Sequence, residues 1–195
     1  MSTTGDADTA SLTETSTDSP TPPGRVRPIV TIGDPVLSTP CREVTEFGDE
    51  LRELIDDMFA TMYDAPGVGL AANQIGVDLQ VFVIDCPDSE HGSLVGHIVN
   101  PKLAPLGEDR ELELDDEGCL SIPGPYTDVP RLKNMAVTGF DWNGIPITLH
   151  AHGRAARCLQ HETDHLAGQL YIDRIPAKQR RRVLKEYAEI RAEEG

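Results

Sequence analysis

The stretch CLQHETDHLAG, residues 158–168, contains two histidines four positions apart, His161 and His165, with Glu162 directly after the first. On a helix such histidines lie one turn apart on the same face, so both imidazoles can bind one metal ion. Glu162 can then handle protons from water at an open coordination position. The pattern predicts a helix from about residue 153, ended by Gly168 in a left-handed conformation. A polar helix face can carry the same pattern by chance, so a metal site needs support from elsewhere in the chain.

Two histidines leave a hydrolytic metal site one protein ligand short. Cys119, in DDEGCLSIPG (residues 115–124), follows a glycine, and we expect it in an irregular segment with its thiol free to face a site. The other cysteines suit small buried positions, although Cys158 shares the helix face of His161 and could line the pocket. His150 and His152 are interpreted as surface residues at a strand end. A zinc peptidase would instead take a distant Glu or His, so the third ligand stays open on these grounds.

A third segment, GVGLAANQIG at residues 67–76, combines two glycines with a glutamine. The glycines let the backbone approach a ligand closely, and the Gln74 amide can donate a hydrogen bond to a developing oxyanion. A tight turn between a helix and a strand explains the same segment equally well. A phosphate-binding loop would need a different spacing and a lysine, so that function is excluded.

The rest of the chain predicts one α+β domain. Residues 1–24 hold 11 Ser or Thr and four acids, which is typical of a disordered acidic Ser/Thr-rich tail, and residues 25–195 form the domain. Asp49 begins a helix with one apolar face. Short strands are expected at residues 81–84, 97–99 and 170–172, and a hairpin at residues 135–150 with Asn143-Gly144 as a two-residue turn. We therefore expect short antiparallel strands packed around a central metal-binding helix, plus a C-terminal helix.

Composition limits the partners of the protein. The formal net charge of −16 argues against a protein that mainly coats nucleic acid. No apolar run approaches the roughly 18 residues of a membrane-spanning helix, and the N-terminus lacks the basic and apolar pattern of a secretory signal. The four cysteines lie far apart, so disulfides are disfavoured. A cytoplasmic protein without membrane contact is expected.

Taken together, the three segments resemble the peptide deformylase family, whose pattern is a GxGLAAxQ loop, an EGCLS segment and a QHExDH helix in that order. This chain has GVGLAANQ at residues 67–74, EGCLS at residues 117–121 and QHETDH at residues 160–165. The agreement in order and spacing extends over roughly residues 28–185. The resemblance implies removal of the formyl group from the N-terminal formylmethionine of nascent polypeptides, with release of formate.

The resemblance also implies a role for individual residues. The metal ligands would be Cys119, His161 and His165. The catalytic groups would be Glu162 as general base and acid, with the Gln74 amide and the Leu120 N–H facing the formyl oxygen, while water activated by the metal attacks the carbonyl. The residues that contact the substrate would be Gly69, Val68 and Cys158. Fe(II) is implied as the native metal, and zinc, nickel or cobalt could take its place.

Two other functions compete with this interpretation. A metallopeptidase or an amidase for another acyl group would differ in its third ligand. A non-catalytic metal-binding or ribosome-associated protein would not need Glu162 or Gln74. The C-terminal segment, residues 174–191, holds seven basic residues against two acidic ones, which predicts either a ribosome contact or a solvated helix face.

Overall fold

Three helices and seven strands occupy residues 24–108 and 110–194, the part of the chain that the computed structural model describes. The helices are α1 (Asp49–Asp64), α2 (Arg154–Leu166) and α3 (Ala177–Glu194). The strands are β1 (Gly69–Ala71), β2 (Val81–Asp88), β3 (Gly92–Pro105), β4 (Leu112–Cys119), β5 (Ile122–Leu132), β6 (Asn134–Phe140) and β7 (Pro146–His152). Residues 1–23 of the predicted tail lie outside the described residues.

All strand pairs are antiparallel, and they form two separate sheets. Five strands pair in the order β1-β2-β3-β6-β7, while β4 and β5 form a hairpin of their own. Helix α2 contacts strands of both sheets, and α3 packs on β5. The α+β class, with strands around a central helix and a further C-terminal helix, is therefore confirmed. None of the described helices is long and apolar enough to cross a lipid bilayer.

Strand β2 explains why the domain has a helix on each side of the large sheet. Its side chains alternate in direction: Phe82 and Ile84 join one apolar cluster, Val81 and Val83 another, and all four are fully buried. The first cluster also contains the apolar side of α2, and the second contains Met58 and other apolar residues of α1. A strand that is apolar on both faces requires cover on both faces. This arrangement holds α2 in the centre of the molecule.

The β6–β7 hairpin exists, but its turn differs from the two-residue turn expected from Asn143-Gly144. Phe140 pairs with Pro146, and the Asp141 amide donates to the Ile145 carbonyl, so three residues form the tip. Among the non-glycine residues described, positive φ angles occur at Pro66 and Asn100, not at Asn143, whereas Gly144 has φ 81°. Asp141 accepts the amides of Asn143 and Ile145, which stabilises the longer turn.

Two further expectations are wrong. Residues 170–172 do not form a strand, because Tyr171–Asp173 is a 3-10 turn in which the Asp173 carboxylate accepts the Leu170 amide. Cys119 does not lie in an irregular segment either. It is the last residue of β4 and pairs with Ile122 across the tip of the β4–β5 hairpin. The sequence of β4 is acidic and that of β5 is rich in proline, so neither strand was predicted from the sequence pattern.

Candidate metal centre and active site

The three expected metal ligands come together between α2 and the tip of the β4–β5 hairpin. The Cys119 Sγ lies 3.2 Å from the His165 Nε2, which in turn lies 3.2 Å from the His161 Nε2. The i and i+4 spacing on α2 turns both imidazoles to one side, and the hairpin brings the thiol to them. His161 and His165 are buried, whereas Cys119 is partly exposed. The site is therefore open on the side of Cys119.

Glu117 determines which nitrogen of His161 is available to a metal. Its Oε1 lies 2.6 Å from the His161 Nδ1, and Arg131 donates to both carboxylate oxygens. Burial alone would raise the pKa of Glu117, but the hydrogen bonds from His161 and Arg131 hold that pKa well below its usual range. An ionised carboxylate can only accept, so the His161 proton resides on Nδ1 and the Nε2 lone pair faces the other ligands.

Glu162 lies beside these ligands in a buried position. Its Oε2 has no hydrogen-bond partner among the described residues, and burial raises the pKa of the carboxyl to about 7. Gly69 explains how this carboxylate fits: a Cβ at Gly69 would overlap the Glu162 Oε1 and would meet the Cys158 Sγ at 2.6 Å. The glycine of β1 therefore reserves the space that Glu162 and Cys158 occupy.

The Gln74 side chain is oriented by the 3-10 turn that carries it, Ala72–Ile75. Its Oε1 accepts the Ala71 amide at 2.9 Å, so the Nε2 must point the other way. Nε2 lies 3.2 Å from the Ser121 Oγ and 3.7 Å from the Cys119 Sγ. The structure thus places an amide donor next to the thiol.

The remaining predicted site residues lie around the same opening. Leu120 directly follows Cys119 in the hairpin tip, and its side chain meets Gly67 of the glycine loop. The Val68 carbonyl accepts the Asp85 amide at 3.0 Å and the Cys158 thiol at 3.6 Å. All nine residues that the sequence nominated are therefore brought to one region, from α2, β1, β4, the 3-10 turn and the residues next to β1 and β4.

A buried network of ion pairs connects α2 to the β4–β5 hairpin, and sequence analysis did not predict it. Arg131 of β5 bridges Glu117 and Asp164 at 2.7 and 2.6 Å, and its side chain is 5% exposed. Asp164 also accepts from Arg174, and Arg157 donates to Glu117. Glu117 and Asp164 stand inside the quoted motifs and could have been suspected. Arg131 lies in a strand that the sequence did not predict, and nothing in the neighbouring sequence identifies it as a functional residue.

The donor set fits a metal ion. One soft thiolate and two imidazoles are ligands that borderline divalent ions accept. The three ligand atoms lie within 4.8 Å of one another, and Glu117 supplies the carboxylate that commonly orients a ligating histidine. The buried Oε2 of Glu162 has no hydrogen-bond partner among the described residues, as expected of an oxygen that accepts a hydrogen bond from a bound water molecule. The nature of the ion does not follow from these donors.

Comparisons with known proteins identify the family of the chain. The family model described as polypeptide deformylase matches residues 26–181. Peptide deformylase 2 of Streptomyces avermitilis is 52% identical over 165 residues, which are 85% of this chain and 88% of that protein. Peptide deformylase 2 of Streptomyces coelicolor is 50% identical, with coverage of 85% and 91%.

Solved structures give the same result for the fold. A peptide deformylase from Ehrlichia chaffeensis superposes with a TM-score of 0.79 at 33% identity, covering 87% of this chain and 98% of that one. A structure of peptide deformylase from the same organism in complex with actinonin has a TM-score of 0.78 at 35% identity, covering 85% and 97%. The chain belongs to the peptide deformylase family.

Proposed function

We propose that this chain removes the formyl group from the N-terminal formylmethionine of nascent polypeptides, as a metal-dependent amide hydrolase that releases formate. The observation that carries the proposal is the meeting of Cys119, His161 and His165 with a buried carboxylate and an amide donor. Family membership supports the same activity. A bound ion would polarise the carbonyl and lower the pKa of a coordinated water molecule.

Glu162 is assigned the proton transfers. Its Oε2 is buried without a partner and adjoins the ligand set, so it can take a proton from the attacking water and pass it to the departing amine. The residue is held there because Gly69 leaves room for it. Glu117 is already engaged by His161 and Arg131, so it serves to position His161.

Gln74 and Leu120 are assigned to the formyl oxygen. The Gln74 Nε2 is the end of the amide that faces Cys119, and the Leu120 N–H is part of the peptide bond that follows this ligand. Donors fixed in advance stabilise charge more in a transition state than in a bound substrate. The Ser121 amide lies 3.4 Å from the Cys119 Sγ and helps to hold the thiol in place.

The substrate main chain is assigned to the free edge of β1. β1 pairs with β2 and with no further strand among the described residues. Because the Val68 carbonyl accepts the Asp85 amide, alternation along the strand directs the backbone groups of Gly69 away from β2. An extended peptide can add to such an edge, with Val68 and Cys158 beside it.

The activity is tested by formate release from formyl-Met-Ala with anaerobically purified protein, and acetyl-Met-Ala serves as the control substrate. We expect strong preference for the formyl peptide, because a carbonyl site flanked by Gly69 and Leu120 should accept hydrogen more readily than a methyl group. Comparable rates on the two peptides would favour a general amidase. Absence of both activities from metal-loaded protein would reject the proposal.

We assign Fe(II) as the native metal, on the basis of the family resemblance. Ligand affinity alone would favour nickel or zinc, since binding strength rises along the first-row series toward copper. A thiolate open to solvent is sensitive to oxidation, so iron-loaded protein should lose activity in air while nickel-loaded protein should keep it. Metal content and formate release are measured together under nitrogen and in air, and a fully active, air-stable zinc enzyme would contradict iron.

The location, boundaries and partners of the enzyme complete the proposal. Its substrate is made in the cytoplasm, and we place the enzyme there. Catalysis is assigned to residues 25–195, so removal of residues 1–23 should leave formate release unchanged. The basic face of α3, defined here as Lys178 and Arg181, is proposed to contact the ribosome. Both side chains are exposed on the first turns of this helix.

A further inference from the structure

A second group of metal-ligand residues lies where the β2–β3 turn meets the end of β7. It consists of Asp88, His91 and His152, whose ligand atoms all lie within 4.8 Å of one another. Asp88 ends β2, His91 lies in the turn that follows, and His152 ends β7. The deformylase site uses none of these residues. His152 was expected at the surface together with His150, but it is 8% exposed, and only His150 is exposed as expected.

Two of the three distances between the ligand atoms suit a tetrahedral ion. The Nδ1 of His91 lies 3.3 Å and the Nδ1 of His152 3.4 Å from the Asp88 Oδ1. Zinc binds imidazole nitrogen and carboxylate oxygen at about 2.0–2.1 Å, which sets neighbouring donors of a tetrahedron about 3.3–3.4 Å apart. The two rings are tilted by 37° with centroids 5.2 Å apart, so the imidazoles lie next to each other beside Asp88.

His152 points to a ligand on independent grounds. Its side chain is nine-tenths buried, and its Nδ1 has no hydrogen-bond partner among the described residues. A buried ring nitrogen without a hydrogen bond is costly unless something binds it. Glu90 Oε2 lies 3.5 Å from the other ring nitrogen, so this carboxylate would accept a hydrogen bond from the proton on Nε2 when an ion binds the lone pair of Nδ1.

Backbone hydrogen bonds hold the Asp88 carboxylate in place without a bound ion. Its Oδ1 accepts the amides of Glu90 and His91 at 2.9 and 3.0 Å, and its Oδ2 accepts the His152 amide at 2.7 Å. The carboxylate thus holds both histidine backbones next to each other. Of the three side chains only that of His91 is exposed, so the site has one open side from which an ion can enter.

We propose that Asp88, His91 and His152 form a second metal site, for Zn²⁺ or a divalent ion of similar preference, that fastens the β2–β3 turn to the start of α2. His152 is followed by Gly153 and then by the first residue of α2, the helix that carries His161, Glu162 and His165. Three protein ligands of nitrogen and oxygen type, with a fourth position for water, are a common zinc arrangement. The proposal does not depend on the deformylase activity.

The test uses the full chain without a histidine tag, with nickel bound first at the catalytic site. Zinc is then titrated calorimetrically, and both metals are quantified after desalting. We expect one zinc per chain with nickel retained, and a higher melting temperature. His91→Gln should weaken zinc binding by more than about tenfold, and so should His152→Gln. The matched control is His150→Gln, an exposed histidine on the same strand, which should bind zinc as the wild type does.

Cobalt provides a second readout, because only the catalytic site contains a thiolate. The Cys119→Ser variant should lose the sulfur-to-cobalt charge-transfer band but keep a d–d band that weakens in the double variant Cys119→Ser/His91→Gln. Failure of nickel-loaded wild type to bind zinc would overturn the proposal. Zinc binding that is equal in wild type, His91→Gln and His152→Gln would overturn it as well, since the ion would then lie elsewhere.

Discussion

Helices α2 and α3 both carry many charged side chains, but they keep them in opposite surroundings. Ten of the thirteen residues of α2 are buried, including Arg157, Glu162 and Asp164. In α3, Val183 is the buried residue among those whose side chains are described, and the charges lie in solvent. Burial of a charge is costly unless it is paired or has a task. The difference suggests that the charges of α2 serve catalysis and architecture, whereas those of α3 serve solubility or a partner.

The comparison is tested most strongly by removing one acid from each helix. Glu162→Ala should retain the metal and lose activity by about 10²–10⁴-fold, because positioned proton transfer contributes that much. Glu186→Ala, an exposed acid on α3, is the matched control and should leave formate release unchanged. Both are measured with formyl-Met-Ala at known metal content. Activity of Glu162→Ala within roughly threefold of wild type would remove Glu162 from the proton transfers.

The next largest effect concerns the buried network of ion pairs that connects α2 to the β4–β5 hairpin. Arg131→Met leaves Glu117 and Asp164 without their shared partner in the interior, so we expect the free energy of unfolding to fall by about 3–5 kcal/mol. Lys133, two residues later, makes an exposed pair with Glu111, and Lys133→Met should cost less than about 1 kcal/mol. Denaturant unfolding of metal-loaded protein measures both. Equal losses would mean that burial does not distinguish these charges.

Asp57 of α1 is an intermediate case, since it is buried but pairs with the partly exposed Arg27. Burial alone would raise the pKa of Asp57, but hydrogen bonds from the Arg25 amide and the Arg27 side chain lower it below 3.8. A lowered folded-state pKa gives stability that is present above the unfolded value and lost as the pH falls through the folded value.

Asp57→Asn should therefore reduce the free energy of unfolding by about 1–3 kcal/mol at neutral pH, where the hydrogen bonds to a charged group are complete. The difference from wild type should shrink as the pH falls below about 4, the range in which wild-type Asp57 becomes protonated. Unfolding curves at neutral and acidic pH measure this change. A difference that is independent of pH would show that the carboxylate charge contributes nothing.

The same contrast explains what the sequence could predict. The two histidines of α2 and the apolar face of α1 follow from a spacing that local geometry alone imposes, and both were found. Arg131 and His152 could not be found this way, because Asp164 is 33 residues from Arg131 and Asp88 is 64 residues from His152, and only the fold brings them together. The β4 strand was hidden because its acidic side chains are exposed, so its sequence lacks the usual alternation.

The smallest effect on stability, and the sharpest test of α3, comes from its basic face. Arg180 and Arg182 are paired with Asp173 and Thr127, so the double variant Lys178→Glu/Arg181→Glu reverses charges at other positions. These side chains are exposed, and we expect the free energy of unfolding to change by less than about 0.5 kcal/mol.

Co-sedimentation of wild type with ribosomes should weaken as salt rises, since contacts with phosphate release counterions. The double variant should lose that co-sedimentation while it keeps full formate release. The control is Lys102→Glu, an exposed lysine of β3, which should sediment as the wild type does. If the double variant still co-sediments with the same salt dependence, the basic face of α3 is a solvated surface, and the charges of the two helices differ only in burial.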